Sequence, residues 1–193
     1  MPHWARPSAI DHGGIKGFSL LELVIVIILV VVLFLVALDR LLPLRGDAEA
    51  AHVATVIGGL RSALGLEAAA RVVRDGLPAL EQLQGSNPMD YLQEWPDTYI
   101  GILDPADSPH VPRGAWYFNR AAGAVGYRVR FPQYLAGKPP DPVHLRWRIE
   151  LQYEDISGNQ RFDADTDRLH GLRLVGLDRH RWPAPAAARA GPQ

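Results

Sequence analysis

The sequence predicts an α+β fold, in which one long N-terminal helix packs against a small antiparallel sheet of about four strands. Three observations lead to this prediction. Residues 23–38 form an unbroken apolar run, residues 47–68 carry apolar side chains at helical spacing, and residues 143–153 alternate strictly between apolar and polar. These patterns are typical, in that order, of a membrane-spanning helix, an amphipathic helix and a half-buried strand.

The composition is that of an ordinary globular chain with one very apolar segment. The chain has 193 residues, a formal net charge of −1 and no cysteine. The near-neutral charge makes nucleic acid an unlikely partner, and the absence of thiols excludes disulfides and thiolate chemistry. The sequence has no nucleophile-elbow motif, phosphate-binding glycine loop or paired helical histidines. We therefore expect no enzyme activity and no cofactor.

Residues 18–42 are predicted to form a hydrophobic transmembrane helix. The 21 residues 18–38 rise about 31 Å as a helix, close to the hydrocarbon thickness of a bilayer. A cleavable secretory signal fits less well, because its apolar region is shorter and ends at small residues. This run ends in Leu38-Asp39-Arg40. The basic residues on its two sides are equal in number, so charge alone leaves the orientation open.

One carboxylate, Glu22, lies at the front edge of this apolar run. An unpaired charge in that position costs several kcal/mol, so its presence needs an explanation. One explanation is local, because an acidic residue interacts favourably with the dipole at a helix N-terminus. This explanation accounts for the charge but not for the residues that precede it.

The residues around Glu22 resemble the N-terminal signature of type IV pilins and of the pseudopilins of type II secretion. A short polar leader, residues 1–17, ends in Lys16-Gly17, and Phe18 and Glu22 follow at the family's spacing. The resemblance covers about 25 residues. It implies that a prepilin peptidase cuts between Gly17 and Phe18 and that Phe18 is then N-methylated. It also implies that Glu22, the fifth mature residue, is an assembly contact.

The resemblance also implies partners and a location. The partners would be the prepilin peptidase, other pilin or pseudopilin subunits bound through the N-terminal helix, and an inner-membrane assembly platform. The chain would cross the bacterial inner membrane once, with its N-terminus cytoplasmic and its head periplasmic, before it joins a filament. In the filament, Glu22 could meet the Phe18 amine of a neighbouring subunit. At about 4 Å such a pair is worth roughly 4 kcal/mol at intermediate dielectric.

The class of machine stays open between a type IV pilus and a type II secretion pseudopilus. A head without cysteines and with proline-rich loops favours a minor or secretion-type subunit. The alternative from another functional class is a monomeric, single-pass membrane-anchored binding module in the periplasm.

The remaining chain is predicted to form three further segments. Residues 43–76 are the second half of the helical spine, with Asp47 as a cap and Gly76 as its end, although a separate soluble helix would show the same pattern. Residues 77–181 are the periplasmic globular head. Residues 182–193 are a disordered tail.

Four strands are predicted in the head, and the segment before them is predicted to be an extended connector. The hairpin of the first two strands also resembles that of mannose-sensitive-haemagglutinin-type pilins and minor pseudopilins. Strict alternation in the third strand predicts one buried and one solvated face, as in an antiparallel sheet covered on one side. The strands are residues 114–119, 125–131, 143–153 and 169–177, and the connector is residues 96–101.

Acidic residues cluster between the last two strands, at Asp155, Asp163, Asp165 and Asp167. The Asp-x-Asp-x-Asp pattern is the opening of a calcium loop, but Arg168 occupies the position of its glycine and no glutamate follows at the twelfth place. We therefore predict a solvated loop and no metal.

Arginines could form a basic face on the sheet. For Arg128, Arg130, Arg146 and Arg148 we predict cross-strand pairing with Glu150 and Glu154 rather than contact with an acidic partner.

Overall fold

The computed structural model describes residues 19–42, 44–104 and 110–183. The chain divides into two compact units, Met1–Leu41 and Leu42–Gln193. The predicted leader, the predicted processing residues Gly17 and Phe18, and the residue Pro43 lie outside the described residues. So does most of the predicted tail.

The first unit contains helix α1, Leu20–Leu41, which has 22 residues and rises about 33 Å. Its segment Leu20–Leu38 has a mean hydropathy of 3.5, and no residue of it is buried. This helix is therefore long and apolar enough to cross a membrane, as the sequence predicts.

The second unit begins with helix α2, Leu44–Asp75, which has 32 residues. Its length and composition also meet the minimum for a membrane span, with a mean hydropathy of only 1.3. The apolar stripe of this helix is, however, buried inside the protein, because its side chains pack in the core of the head. The stripe follows the i, i+3, i+4 spacing and contains Val53, Ile57, Leu60 and Leu64. The helix ends before Gly76, which has a φ of 83° and was predicted to end it.

Five strands form one mixed sheet in the order β1-β2-β3-β4-β5. Neighbouring strands are antiparallel from β2 to β5, and β1 is parallel to β2. Short 3₁₀ helices connect α2 to the sheet and follow β3. The strands are β1 Tyr99–Leu103, β2 Trp116–Asn119, β3 Ala124–Arg128, β4 His144–Glu154 and β5 Arg168–Gly176.

The α+β class is confirmed, and the predicted four-stranded antiparallel sheet is corrected in two respects. The segment predicted as a connector contributes β1, a fifth strand, and this strand pairs in parallel. Gly101, with a φ of 96°, interrupts β1, and the register shifts between Tyr99 and Ile102. Apart from Gly101 the residues of β1 are all apolar, so the sequence lacks the apolar-polar alternation that identifies a strand. Parallel pairing was not predicted because parallel strands are joined by a connection of about a dozen residues, which has no short turn motif to identify it.

The core lies between α2 and one face of the sheet. On β4 the residues Leu145, Ile149 and Leu151 are buried, as the alternating pattern predicts. Trp116 is fully buried on β2, and its ring centroid lies 4.8 Å from that of Tyr127 and 5.6 Å from that of Trp147. A side chain of this size contributes roughly 1.5–3 kcal/mol through burial alone. The apolar face of α2 and the inner face of the sheet thus pack against each other, and this packing stabilises the head.

Candidate functional site

Glu22 is the predicted site residue that the structure describes. It lies in the first turn of α1, and its side chain is exposed. Gly17 and Phe18, the predicted processing pair, lie outside the described residues. The proposed contact between Glu22 and a Phe18 amine is therefore a prediction about an assembly.

Ser19 caps the helix that carries Glu22. The Glu22 N–H donates to Ser19 Oγ over 3.2 Å, and the Leu23 N–H donates to the Ser19 carbonyl over 3.1 Å. A serine three residues before a glutamate is the sequence pattern of a capping box, in which the serine oxygen satisfies a free N–H of the first turn. Our sequence reasoning missed Ser19, although this pattern could have identified it.

The surface of α1 is apolar from Leu23 to Leu38. The large apolar side chains from Leu20 to Val36 are all 43–81% exposed. At about 25 cal/mol per Å² such an area is strongly unfavourable in water, so it requires lipid or another apolar surface. The combination of this surface with the capped Glu22 is the candidate assembly site.

A second carboxylate, Glu49, is buried in the head at the beginning of α2 and is only 7% exposed. The Tyr127 hydroxyl donates to its Oε1 over 2.9 Å, and the Arg130 N–H donates to the same oxygen over 2.5 Å. The Phe131 N–H donates to Oε2 over 3.1 Å. Glu49 therefore ties α2 to the end of β3 through contacts that are about eighty residues apart in sequence.

Sequence reasoning also missed Glu49. The available signal was its position, because Glu49 precedes Val53, Ile57 and Leu60 on the apolar stripe of α2. A charged residue on a buried stripe needs partners, and here backbone and hydroxyl donors provide them. Burial raises the pKa of Tyr127, and the neighbouring Glu49 charge raises it further.

The acidic loop before β5 is organised by its own carboxylates. Asp155 accepts from the N–H groups of Gly158 and Gln160, over 2.7 and 2.8 Å. Asp167 accepts from the N–H groups of Ile156, Ser157 and Asp163, and these hydrogen bonds, that of Ser157 first, lower its pKa. Within the described ranges, no group of three or more potential ligand side chains could hold a metal ion. The two aspartates thus act as turn-forming residues.

The arginines on the outer face of the sheet have partners other than those predicted. Arg146 forms a bidentate ion pair with Asp178, with distances of 2.8 and 3.2 Å. Arg128 lies 3.4 Å from Asp141. The prediction of pairing with Glu150 and Glu154 was therefore wrong for these two arginines. Arg128 lies opposite His144 in the sheet, and Glu150 is four residues from Arg146 on the same strand, about 13 Å away, whereas the two aspartates approach from segments that flank the strands.

His144 lies between these two arginines on the outer face. It is half-buried, and its Nδ1 lies 2.9 Å from the Tyr117 hydroxyl oxygen. Burial lowers the pKa of His144, and the charges of Arg128 and Arg146 lower it further. His144 thus lies on the polar face of β4, in a more enclosed environment than an ordinary surface histidine.

No family model, curated protein or solved structure matches the chain. The pilin resemblance of the N-terminus, and the function that goes with it, therefore rest on the residues quoted above and on the physical properties of α1.

Proposed function

We propose that this chain is a pilin-like structural subunit, of the minor or secretion type, in a type IV pilus or a type II secretion pseudopilus. The observation that carries the proposal is the exposed apolar surface of α1, together with the motif that precedes it. A soluble protein would bury such a surface, whereas a subunit that moves from a membrane into a filament uses it in both places.

In this proposal the chain begins as a bacterial inner-membrane precursor with its leader in the cytoplasm and its head in the periplasm. The prepilin peptidase cuts between Gly17 and Phe18, and Phe18 is methylated at its new amine. The methylated amine keeps its positive charge. Ser19 then becomes the second mature residue, and its cap keeps the first turn of α1 helical up to the new terminus.

Assembly then depends on Glu22. Its carboxylate at the edge of an apolar segment is unfavourable alone and favourable beside the terminal amine of a neighbouring subunit. A shifted register leaves both charges unpaired, so the pair selects one axial position while the apolar surfaces supply non-specific attraction. Because each subunit is shifted along the axis relative to the one before it, the repeated contact does not form a closed ring. It builds a helical filament on the assembly platform.

The deciding experiment is intact-mass and N-terminal peptide analysis of the protein extracted from membranes. We expect a chain that begins at Phe18 and carries one additional methyl group. A chain that retains Met1, or that is cut elsewhere, contradicts the proposal.

The same preparation tests the alternative function, a monomeric membrane-anchored binding module. Crosslinking in the membrane separates the two functions, because a subunit yields a ladder of oligomers joined through α1. An unprocessed chain that stays monomeric supports the binding module.

A further inference from the structure

A cavity of about 340 Å³ in the head gathers basic side chains near the start of α2. Arg45 and His52 come from α2, and Arg130 comes from the segment after β3. Glu49 and Thr98 also line it. A cavity of this size lies at the small end of the range for ligand sites. All of these residues belong to the second compact unit.

The charges of this cavity favour an anion. Two arginines against the single Glu49 carboxylate give a formal charge of +1. The Glu49 oxygens already accept three hydrogen bonds from the protein. Among the described residues, no ion pair involves the side chain of Arg45 or Arg130. Both guanidinium groups therefore keep their donors for a ligand.

The position of Arg130 is determined by its surroundings. Its backbone N–H donates to Glu49, and its guanidinium lies against the backbone of Gly114. A Cβ at Gly114 would lie 2.5 Å from Nη2 of Arg130, and the φ of this glycine is 79°. Only glycine therefore permits this arrangement.

Thr98 offers one further donor beside the arginines. Its hydroxyl oxygen is shielded from solvent and has no hydrogen-bond partner among the described residues. A buried hydroxyl without a partner is unfavourable, and in the proposed complex a rotation of this side chain would let it donate to an anionic oxygen.

The order of residues along the chain identifies the source of the anion. Arg45 follows Leu41, the last residue of α1, by only four residues, and four extended residues reach about 14 Å at most. If α1 spans a bilayer, this connection keeps Arg45 near the layer of lipid headgroups, whose polar region is about 5–8 Å thick on each side. Phosphate groups are the most abundant anions in that layer.

We propose that Arg45, Arg130 and His52 bind the phosphate of an anionic phospholipid headgroup while the subunit is in the membrane. This inference rests on the membrane-spanning α1 of the proposed function. Two arginines bind phosphate oxygens through bidentate pairs, and Thr98 donates to a remaining oxygen. The lipid is released when the subunit leaves the bilayer.

Native mass spectrometry of the full chain from nanodiscs tests the proposal. The nanodiscs contain equal amounts of phosphatidylglycerol and phosphatidylcholine, and the measurement is the ratio of the two lipids retained by the protein. We expect phosphatidylglycerol to be enriched on the wild type, because both lipids carry a phosphate but the choline ammonium of phosphatidylcholine cancels its charge and is repelled by the two arginines. Arg45→Gln should reduce this enrichment about fivefold. Arg45→Gln/Arg130→Gln should reduce it about fivefold further.

The matched control is Arg120→Gln/Arg161→Gln, which removes the same charge from two exposed arginines away from the cavity. Arg130→Gln keeps the backbone bond to Glu49, and thermal unfolding checks that each variant folds. Should a double variant unfold, Arg45→Gln alone decides, because Arg45 is exposed and lies on the surface of α2. An equal loss of enrichment in the control pair overturns the proposal.

Two other results also overturn it. Inorganic phosphate that binds the detergent-solubilised protein as tightly as phosphatidylglycerol would identify a site for a free anion. Equal retention of both lipids, with loss of filament incorporation in Arg45→Gln/Arg130→Gln, would assign the cavity to a carboxylate of a partner subunit.

The same mass spectra separate this inference from the proposed function, because they also report the N-terminus. An uncut chain that still selects phosphatidylglycerol contradicts the pilin proposal and supports the lipid site. A chain that begins at methylated Phe18 and retains both lipids equally supports the pilin proposal and contradicts the lipid site.

Discussion

Helices α1 and α2 each carry one glutamate against apolar residues, and the two carboxylates have opposite environments. Glu49 of α2 is buried and accepts three hydrogen bonds from groups that are distant in sequence. Glu22 of α1 is exposed, and within the described part of the chain its carboxylate has no hydrogen-bond or ion-pair partner. Its backbone, in contrast, is capped by Ser19.

The difference separates two uses of the same side chain. A carboxylate that its own fold satisfies contributes to stability, and its removal leaves buried donors without a partner. A carboxylate without a partner in its own chain contributes little to the stability of that chain. A second chain can provide the missing partner. Changes at Glu49 should therefore affect folding, and changes at Glu22 should affect assembly.

The largest effect on stability is expected for Glu49→Ala. It leaves the Tyr127 hydroxyl and the N–H groups of Arg130 and Phe131 without an acceptor, which should lower the free energy of unfolding by about 3–5 kcal/mol. For a unit of this size we expect a fall in melting temperature of about 10 °C. The measurement is denaturant unfolding of the full chain in detergent, followed by tryptophan fluorescence.

The control for this change is Glu81→Ala, an exposed glutamate in the same unit. Glu49→Gln, which keeps one acceptor oxygen, should fall between the two. A loss below about 1 kcal/mol in Glu49→Ala would show that the buried contacts are not the source of the stability.

The next prediction concerns Glu22→Ala. We expect cutting, membrane insertion and the unfolding of the head to be unchanged, while incorporation into filaments falls at least tenfold through loss of a pair worth a few kcal/mol. Quantitative immunoblotting of sheared filaments against membranes measures this ratio. Glu22→Asp keeps the charge and should restore part of the incorporation, and normal incorporation of Glu22→Ala would remove the assembly role.

A smaller effect is expected for Tyr127→Phe, which removes one donor to Glu49 and should cost about 1–2 kcal/mol. Because the folded-state pKa of Tyr127 is raised above its ordinary value of 10.0, the folded chain keeps this proton where the unfolded chain loses it. Wild-type stability should therefore fall as the pH rises above about 10. The free energy of unfolding, measured at several pH values in this range, should depend less on pH for Tyr127→Phe than for the wild type. An equal pH dependence would contradict the contact between Tyr127 and Glu49.

The smallest effect is expected for Ser19→Ala, which removes the side-chain acceptor of the first turn of α1. Loss of an N-cap costs about 1 kcal/mol and acts only on that turn. Amide hydrogen exchange in micelles should speed up at Glu22 and remain unchanged near Val32 in the middle of the helix. Ser19→Asp, which keeps an acceptor, serves as the control, and unaltered exchange in Ser19→Ala would exclude the cap.

Elements with strong periodicity were predictable, and elements that depend on a distant partner were not. Strand β4 and the buried stripe of α2 follow directly from alternation and from helical spacing, because each side chain has only to face one apolar neighbour. Strand β1 was missed since its sequence shows no apolar-polar alternation and β2 supplies its hydrogen bonds. The partners of Arg128 and Arg146 were missed for the same reason, because Asp141 and Asp178 come from outside the strands.

The sequence by itself determined the apolar helix, the charge at its front edge and the class of the head. These properties depend on composition and on periods of two to four residues, which local geometry imposes on any chain. Only the tertiary structure decided that Glu49 lies among three donors and that Arg130 approaches the start of α2. It also decided that a fifth strand joins the sheet in parallel. These contacts join residues that are far apart in sequence, and no local pattern records which distant backbone groups need a partner.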